Sequence, residues 1–152
     1  MRVSAKADYA VRAAVELAAN HGAGPVKGER ISVAQAIPLN FLENILSDLR
    51  QAGLVRSQRG PDGGYWLARE PDAISVADVM RAVEGPLAAV RGERPEALEY
   101  RGAAEALQLV WIGLRTNIRG VLEEVTLADI ASGKLPREIQ RLAKEPDSWT
   151  TR

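Results

Sequence analysis

The stretch that most restricts this chain is "QRGPDGGYW", residues 58–66. It sets three glycines, a proline and an aspartate between two short runs of β-formers, "LVRSQ" (54–58) and "YWLAR" (65–69). Glycine carries a backbone-entropy cost that only a tight turn or a close approach justifies. The pattern therefore predicts a hairpin with 59–64 as its loop. Directly before it, "PLNFLENILSDLRQAG" (38–53) is the clearest helix of the sequence, stopped by Gly53. Few folds run a helix straight into so short a hairpin.

Two further helices precede this pair. "SAKADYAVRAAVELAAN" (4–20) reads as an amphipathic helix capped by Ser4, with Tyr9, Val11, Ala14, Val15 and Ala18 as its apolar stripe. "HGAGP" (21–25) ends it. A short helix from about Gly28 to Ala36 follows, with Ile31 and Ala34 facing inward, and Pro38 opens the next. In the 38–53 helix, Phe41, Leu42, Ile45, Leu46 and Leu49 form one wide apolar face, opposite Asn40, Glu43, Asn44, Ser47 and Asp48. Three helices and then a hairpin is the element order of a winged helix-turn-helix.

After the hairpin, Ser75 and Asp78 form the capping box of a helix over 75–83. Residues 85–100 read as a loop. A long helix is expected over roughly 102–125, where Ala104, Leu107, Trp111, Leu114, Ile118, Val121 and Val125 alternate at spacings of three and four. That heptad seam points to a facing helix. Thr126 and Asp129 open one more short helix, and from Lys134 the chain turns polar and proline-punctuated. The expected organisation is a mainly α, winged helix-turn-helix unit over 1–83, a loop over 84–101, dimerisation helices over 102–133 with Leu107, Trp111, Leu114, Ile118 and Val121 at the interface, and a loosely attached polar tail over 134–152.

Charge sharpens the functional reading. Lys+Arg and Asp+Glu number 20 each, so the whole chain is neutral. Residues 1–69 carry nine basic and six acidic side chains, and residues 70–152 eleven and fourteen, so the halves differ in sign. There is no cysteine, which excludes disulfides, thiolate catalysis and cysteine-held metal clusters. No apolar run of membrane-spanning length and no secretory leader is seen, so a cytoplasmic protein is expected. No Ser/His/Asp set, acid–base carboxylate pair or Walker-type loop is present, so no enzyme is expected. The one histidine, His21, lies in a Gly-rich turn and reads as a helix-end residue rather than a ligand.

The polar face of the 38–53 helix offers base-reading chemistry. Asparagine pairs bidentately with adenine and glutamate accepts from cytosine, which makes Asn40, Glu43 and Asn44 candidate base readers in a major groove. Arg59, followed by Gly60 at the hairpin tip, suits the negative potential of a narrow minor groove. Lys6, Lys27, Arg56, Gly63 and Gly64 are the candidate phosphate contacts, with Asp62 an unfavourable neighbour for them. Trp111 is interface core or, alternatively, part of an effector platform.

Residues 38–69 resemble the signature of the Rrf-two family of bacterial winged helix-turn-helix transcription regulators. The match lies in Leu42-Glu43, Leu49-Arg50, Ala52-Gly53-Leu54-Val55, Arg59-Gly60 and Gly63-Gly64-Tyr65, with "KADYAVRAAVELA" and "ISVADVMRAVEG" matching as well. The resemblance covers about residues 1–125. It implies a homodimer on duplex DNA, with the 38–52 helix in the major groove and the 59–64 wing in the minor groove. The expected role is a repressor at a palindromic promoter site. A winged-helix module whose main partner is a protein is the alternative. Sensing members of the family hold an iron–sulfur cluster through cysteines in the loop before the long helix. Here that loop reads "GPLAAVRGERPEALEY" and has none. No cofactor and no metal are therefore expected, and any signal is a small molecule or a partner protein.

Overall fold

The structure, a computed structural model, describes residues 1–152. Its helices are α1 (Ala5–Ala19), α2 (Gly28–Gln35), α3 (Leu39–Gln51), α4 (Val76–Glu84), α5 (Leu107–Leu122), α6 (Leu127–Ser132) and α7 (Arg137–Lys144). One antiparallel hairpin, β1 (Val55–Gln58) and β2 (Gly64–Leu67), lies between α3 and α4, with Val55 opposite Leu67 and Gln58 opposite Gly64. This is the mainly α winged helix-turn-helix read from the sequence. No helix is long and apolar enough to cross a membrane.

The core forms around α1, which touches α2, α3, α4, α6 and β2. Ser4 caps α1 by accepting from the Ala7 amide at 3.0 Å. The buried face is Ala7, Ala10, Ala13, Ala14, Leu17 and Ala18, which corrects the larger stripe expected from the sequence. Tyr9, Val11 and Val15 are only partly buried, at the margin of the core. An element surrounded by this many others has room for methyl groups at its centre, not for branched side chains. Leu42, Ile45, Leu46 and Leu49 of α3 fill the space opposite.

Three other inward assignments also change. Phe41 is 57% exposed, because it stands 100° round the helix from Leu42, at the edge of the face that Leu42, Ile45, Leu46 and Leu49 share. Ala34 is exposed, and Ile37 beyond the helix end is the buried partner of Ile31. Pro38 sits at the N-cap of α3 rather than in its first turn.

The C-terminal half departs further. Residues 125–132 fold back onto the N-terminal core. Val76 N–H donates to Val125 O at 2.9 Å, and Leu127 N–H to Ile74 O at 3.0 Å. Leu127 is fully buried in the core cluster and Val125 nearly so. The capping boxes of α4 (Ser75/Asp78) and α6 (Thr126/Asp129) stand side by side, their cap residues paired in a β-bridge. By packing, α6 is thus part of the winged unit.

The helix α5 is shorter than the seam expected over 102–125. Ala104 lies in a separate 3-10 turn and Val125 lies in the core, so neither is on α5. The segment before α5 is pinned to it. Gln108 Nε2 donates to the carbonyls of Pro95 (3.3 Å), Glu96 (3.3 Å) and Leu98 (2.8 Å), and Trp111 Nε1 donates to Tyr100 Oη at 3.0 Å. Leu107, Trp111, Leu114 and Ile118 are consequently half-buried within their own chain. The polar tail is not loose coil. It forms α7, braced by Arg141 between Glu138 (2.6 Å) and Glu145 (3.2 Å). Truncating a core side chain such as Leu127 leaves a cavity and costs about 2–5 kcal/mol. Leu127→Ala should lower the urea midpoint accordingly, and an unchanged midpoint would place α6 outside the folding unit.

Candidate nucleic-acid interface

The α2–α3 turn orients the candidate reading helix. Ala36 takes a left-handed conformation (φ 51°), Ile37 N–H donates to Ser32 O at 3.0 Å, and Ser32 Oγ donates back to Ile37 O at 2.5 Å. Arg12 of α1 donates to Gln35 O at 2.5 Å and so supplies a donor to the open carbonyl end of α2. At the far end of α3, Gly53 (φ 76°) closes the helix while Leu54 N–H reaches back to Leu49 O at 3.0 Å. With both ends fixed and its apolar face buried, α3 leaves Asn40, Glu43 and Asn44 exposed together along its first two turns.

The wing is braced from behind. Val26 and Tyr65 exchange backbone hydrogen bonds, each at 2.8 Å, so the residue before α2 serves as a one-residue third strand. This approach leaves no room for a side chain on β2. A Cβ on Gly64 would stand 2.6 Å from Val26 O, and one on Gly63 would stand 2.1 Å from Gln58 O. Both glycines are buried, and the Gly63 N–H already donates to Gly60 O at 3.0 Å. The sequence reading gave Gly63 and Gly64 to DNA phosphates. Their observed surroundings give them a steric role in closing the hairpin instead. Arg59, Gly60, Pro61 and Asp62 form the exposed tip. Lys27 Nζ holds this tip by donating to Gly60 O at 2.8 Å.

The remaining candidates are dispersed. Lys6 Nζ lies 2.8 Å from the Asp48 carboxylate of α3 and tethers α1 to that helix. Arg56 is exposed on β1, directly across the ladder from Trp66. It lines an open cleft of about 610 Å³ with Arg50, Arg69 and Trp66. Arg50 and Arg69 were not among the sequence candidates. They end α3 and follow β2, and only the observed strand register brings them beside Arg56. His21 pairs with Glu70 at 3.2 Å, as a turn residue.

A winged helix-turn-helix with an exposed polar reading helix and a braced wing defines a class, the DNA-binding transcription regulators. The Rrf2 family model, described as an iron-dependent transcriptional regulator, matches residues 3–133, and the chain belongs to this family. It is 51% identical over 145 residues, 95% of this chain and 90% of the other, to a Mycobacterium tuberculosis protein bearing the name of an HTH-type transcriptional regulator, Rv1287. Identity to the HTH-type transcriptional regulator CymR of Bacillus subtilis is 40%, over 87% of this chain and 91% of that one. Among solved structures, that of CymR, the global cysteine regulator of B. subtilis, superposes with a TM-score of 0.74 over 88% of this chain and 98% of the other at 39% identity. That of T. potens IscR superposes with a TM-score of 0.72 over 92% and 91% at 36% identity. The protein is thus a DNA-binding transcriptional regulator and not an enzyme.

The family description mentions iron, and the donors of this chain do not fit it. There is no thiolate, and no three His, Asp or Glu side chains stand close enough together to hold a metal ion. The segment before α5 instead contributes Arg91, Arg94 and Arg101 among its charges.

Because the wing depends on close backbone approach, Gly64→Ala should both shift Val26 and lower stability. Its φ of 149° adds strain to the contact, together on the order of 1–3 kcal/mol. Amide exchange at Tyr65 faster than in the parent would report the loosened pair, and an unchanged exchange rate would remove the constraint.

Proposed function

We propose that the protein represses transcription as a homodimer bound to a palindromic promoter site. Asn40, Glu43 and Asn44 read base edges in the major groove, and Arg59 with Gly60 enters the adjacent minor groove. Lys6, Lys27 and Arg56 meet the backbone, joined by Arg50 and Arg69 at the cleft beside the hairpin. The observation that carries the reading is the exposed polar face of α3 standing beside a wing tip whose arginine has no partner within the protein. Phosphate contacts position such a module while base contacts specify its site.

Support for dimerisation comes from α5. No residue of this helix is buried, and Leu109 and Val110 are 70% and 58% exposed. An apolar helix left open in this way gains by covering itself against a second copy, with Leu107, Trp111, Leu114, Ile118 and Val121 at or beside the contact. Two-fold symmetry would set the reading helices about 34–36 Å, or a multiple of that, apart.

Arg59→Ala should weaken operator binding by about 1–3 kcal/mol without unfolding the chain, whereas Glu43→Ala should relax base preference at one position. Operator titrations over a salt series check both, since each lost phosphate contact lowers the slope by about one. Equal affinity of Arg59→Ala and parent would take the wing out of the mechanism. Leu114→Asp places a charge in the α5 contact, and light scattering should then show monomer or aggregate and no operator binding. A monomeric parent, or a variant that still grips a full palindrome, contradicts the dimer.

A further inference from the structure

A second concentration of arginine lies apart from the surface proposed to touch DNA. A pocket of about 360 Å³ opens between α4, the segment after it and α5, lined by Arg81, Arg94, Arg115 and Arg119 with Glu96 as its single carboxylate. The four come from three separate parts of the chain. Arg115 and Arg119 stand one turn apart on α5, Arg81 is in the last turn of α4, and Arg94 precedes the turn that Gln108 clamps to α5. Leu87, buried, forms part of the wall.

The internal pairing leaves this charge incompletely answered. Arg115 bonds Glu96, and Arg81 bonds Glu123 with Asp78 at 3.9 Å. Arg119 reaches Glu123 only at 3.9 Å, and Arg94 makes no ion pair. Three carboxylates thus face four guanidinium groups. Each guanidinium has about five N–H donors, and only two hydrogen bonds from the four reach a protein acceptor. The Glu96 backbone, then Arg115, hold the Glu96 carboxyl below the usual carboxylate range, so it stays ionised and its charge is already matched. Like charges at i, i+4 destabilise a helix, and Arg115 and Arg119 carry that penalty with no carboxylate between them on α5. A planar donor fork is the group that matches carboxylate and phosphate oxygens two at a time.

We propose that this pocket binds a small oxyanion metabolite, bearing phosphate or carboxylate groups, through Arg94, Arg115 and Arg119. The volume falls in the range of small-molecule sites. A ligand held there joins α5 to the end of α4, and α4 packs on α1 and α3. It would therefore link the helix proposed for dimerisation to the unit that carries the reading helix.

The test uses the full chain without DNA, so its outcome is independent of the operator reading. Melting temperature and titration heat are followed with inorganic phosphate, with succinate, and with chloride at matched ionic strength. A saturable rise in Tm with phosphate or succinate, and none with chloride, is expected, and the anion that acts identifies the acidic group. Arg94→Ala, exposed and unpaired and so neutral for folding, should weaken that binding on the order of tenfold. Arg119→Ala should do the same, and Arg152→Ala in the tail should leave it intact. Absence of saturable binding for both anions, or binding that both pocket variants retain in full, overturns the site.

Discussion

The alanine face of α1 is the constraint on which the other packing depends. Ala7, Ala10, Ala13 and Ala14 are at most 1% exposed, and around them α2, α3, α4, α6 and β2 all make contact. A methyl group is the largest side chain that lets so many backbones approach one helix. Larger residues, Leu17 of α1 and Leu42, Ile45, Leu46 and Leu49 of α3, fill the gaps this closeness leaves. Any branched residue in the alanine row would push α3 away from α1 and tilt the face that carries Asn40, Glu43 and Asn44. The reading surface is therefore positioned from behind, by residues that never meet solvent.

The wing follows the same logic with backbone in place of side chains. Val26 precedes α2 and Tyr65 lies in β2, and their reciprocal bonds lock the hairpin to the helix-turn-helix. Glycine at 64 is the condition for that contact, because any Cβ would overlap Val26 O. Lys27 then fixes the tip through Gly60 O. Charge around the surface is mixed rather than uniformly basic. Asp48 meets Lys6, Glu43 is exposed on the reading helix and Asp62 sits at the tip. A surface with acidic residues among its cations holds nucleic acid less tightly but penalises wrong registers more.

The segment between α4 and α5 shows how a loop acquires structure from one side chain. Gln108 donates to three carbonyls of the 95–98 turn, and Trp111 to Tyr100. These bonds shield the inner side of α5 and leave Leu109 and Val110 on its open side. They also carry Arg94 to the α5 arginines.

The sequence alone determined the element order, the helix stops and the hairpin, because these rest on local chemistry. Gly53 and Gly133 take left-handed conformations, both capping boxes form as spaced, and the turn chemistry of 59–64 admits only a tight loop. The polar face of α3 was legible for the same reason, since helical period alone separates Asn40, Glu43 and Asn44 from Leu42 and Ile45. Tertiary structure decided what depends on neighbours distant along the chain. It chose alanines over Tyr9, Val11 and Val15 for the centre of α1, exposed Phe41, and drew Val125 and Leu127 from the expected dimer seam into the N-terminal core. It also gave Gly63 and Gly64 their steric role and gathered Arg50, Arg56 and Arg69 at one cleft. Periodicity reports which residues share a face, whereas the room on that face and the chain that covers it are set by elements dozens of residues away.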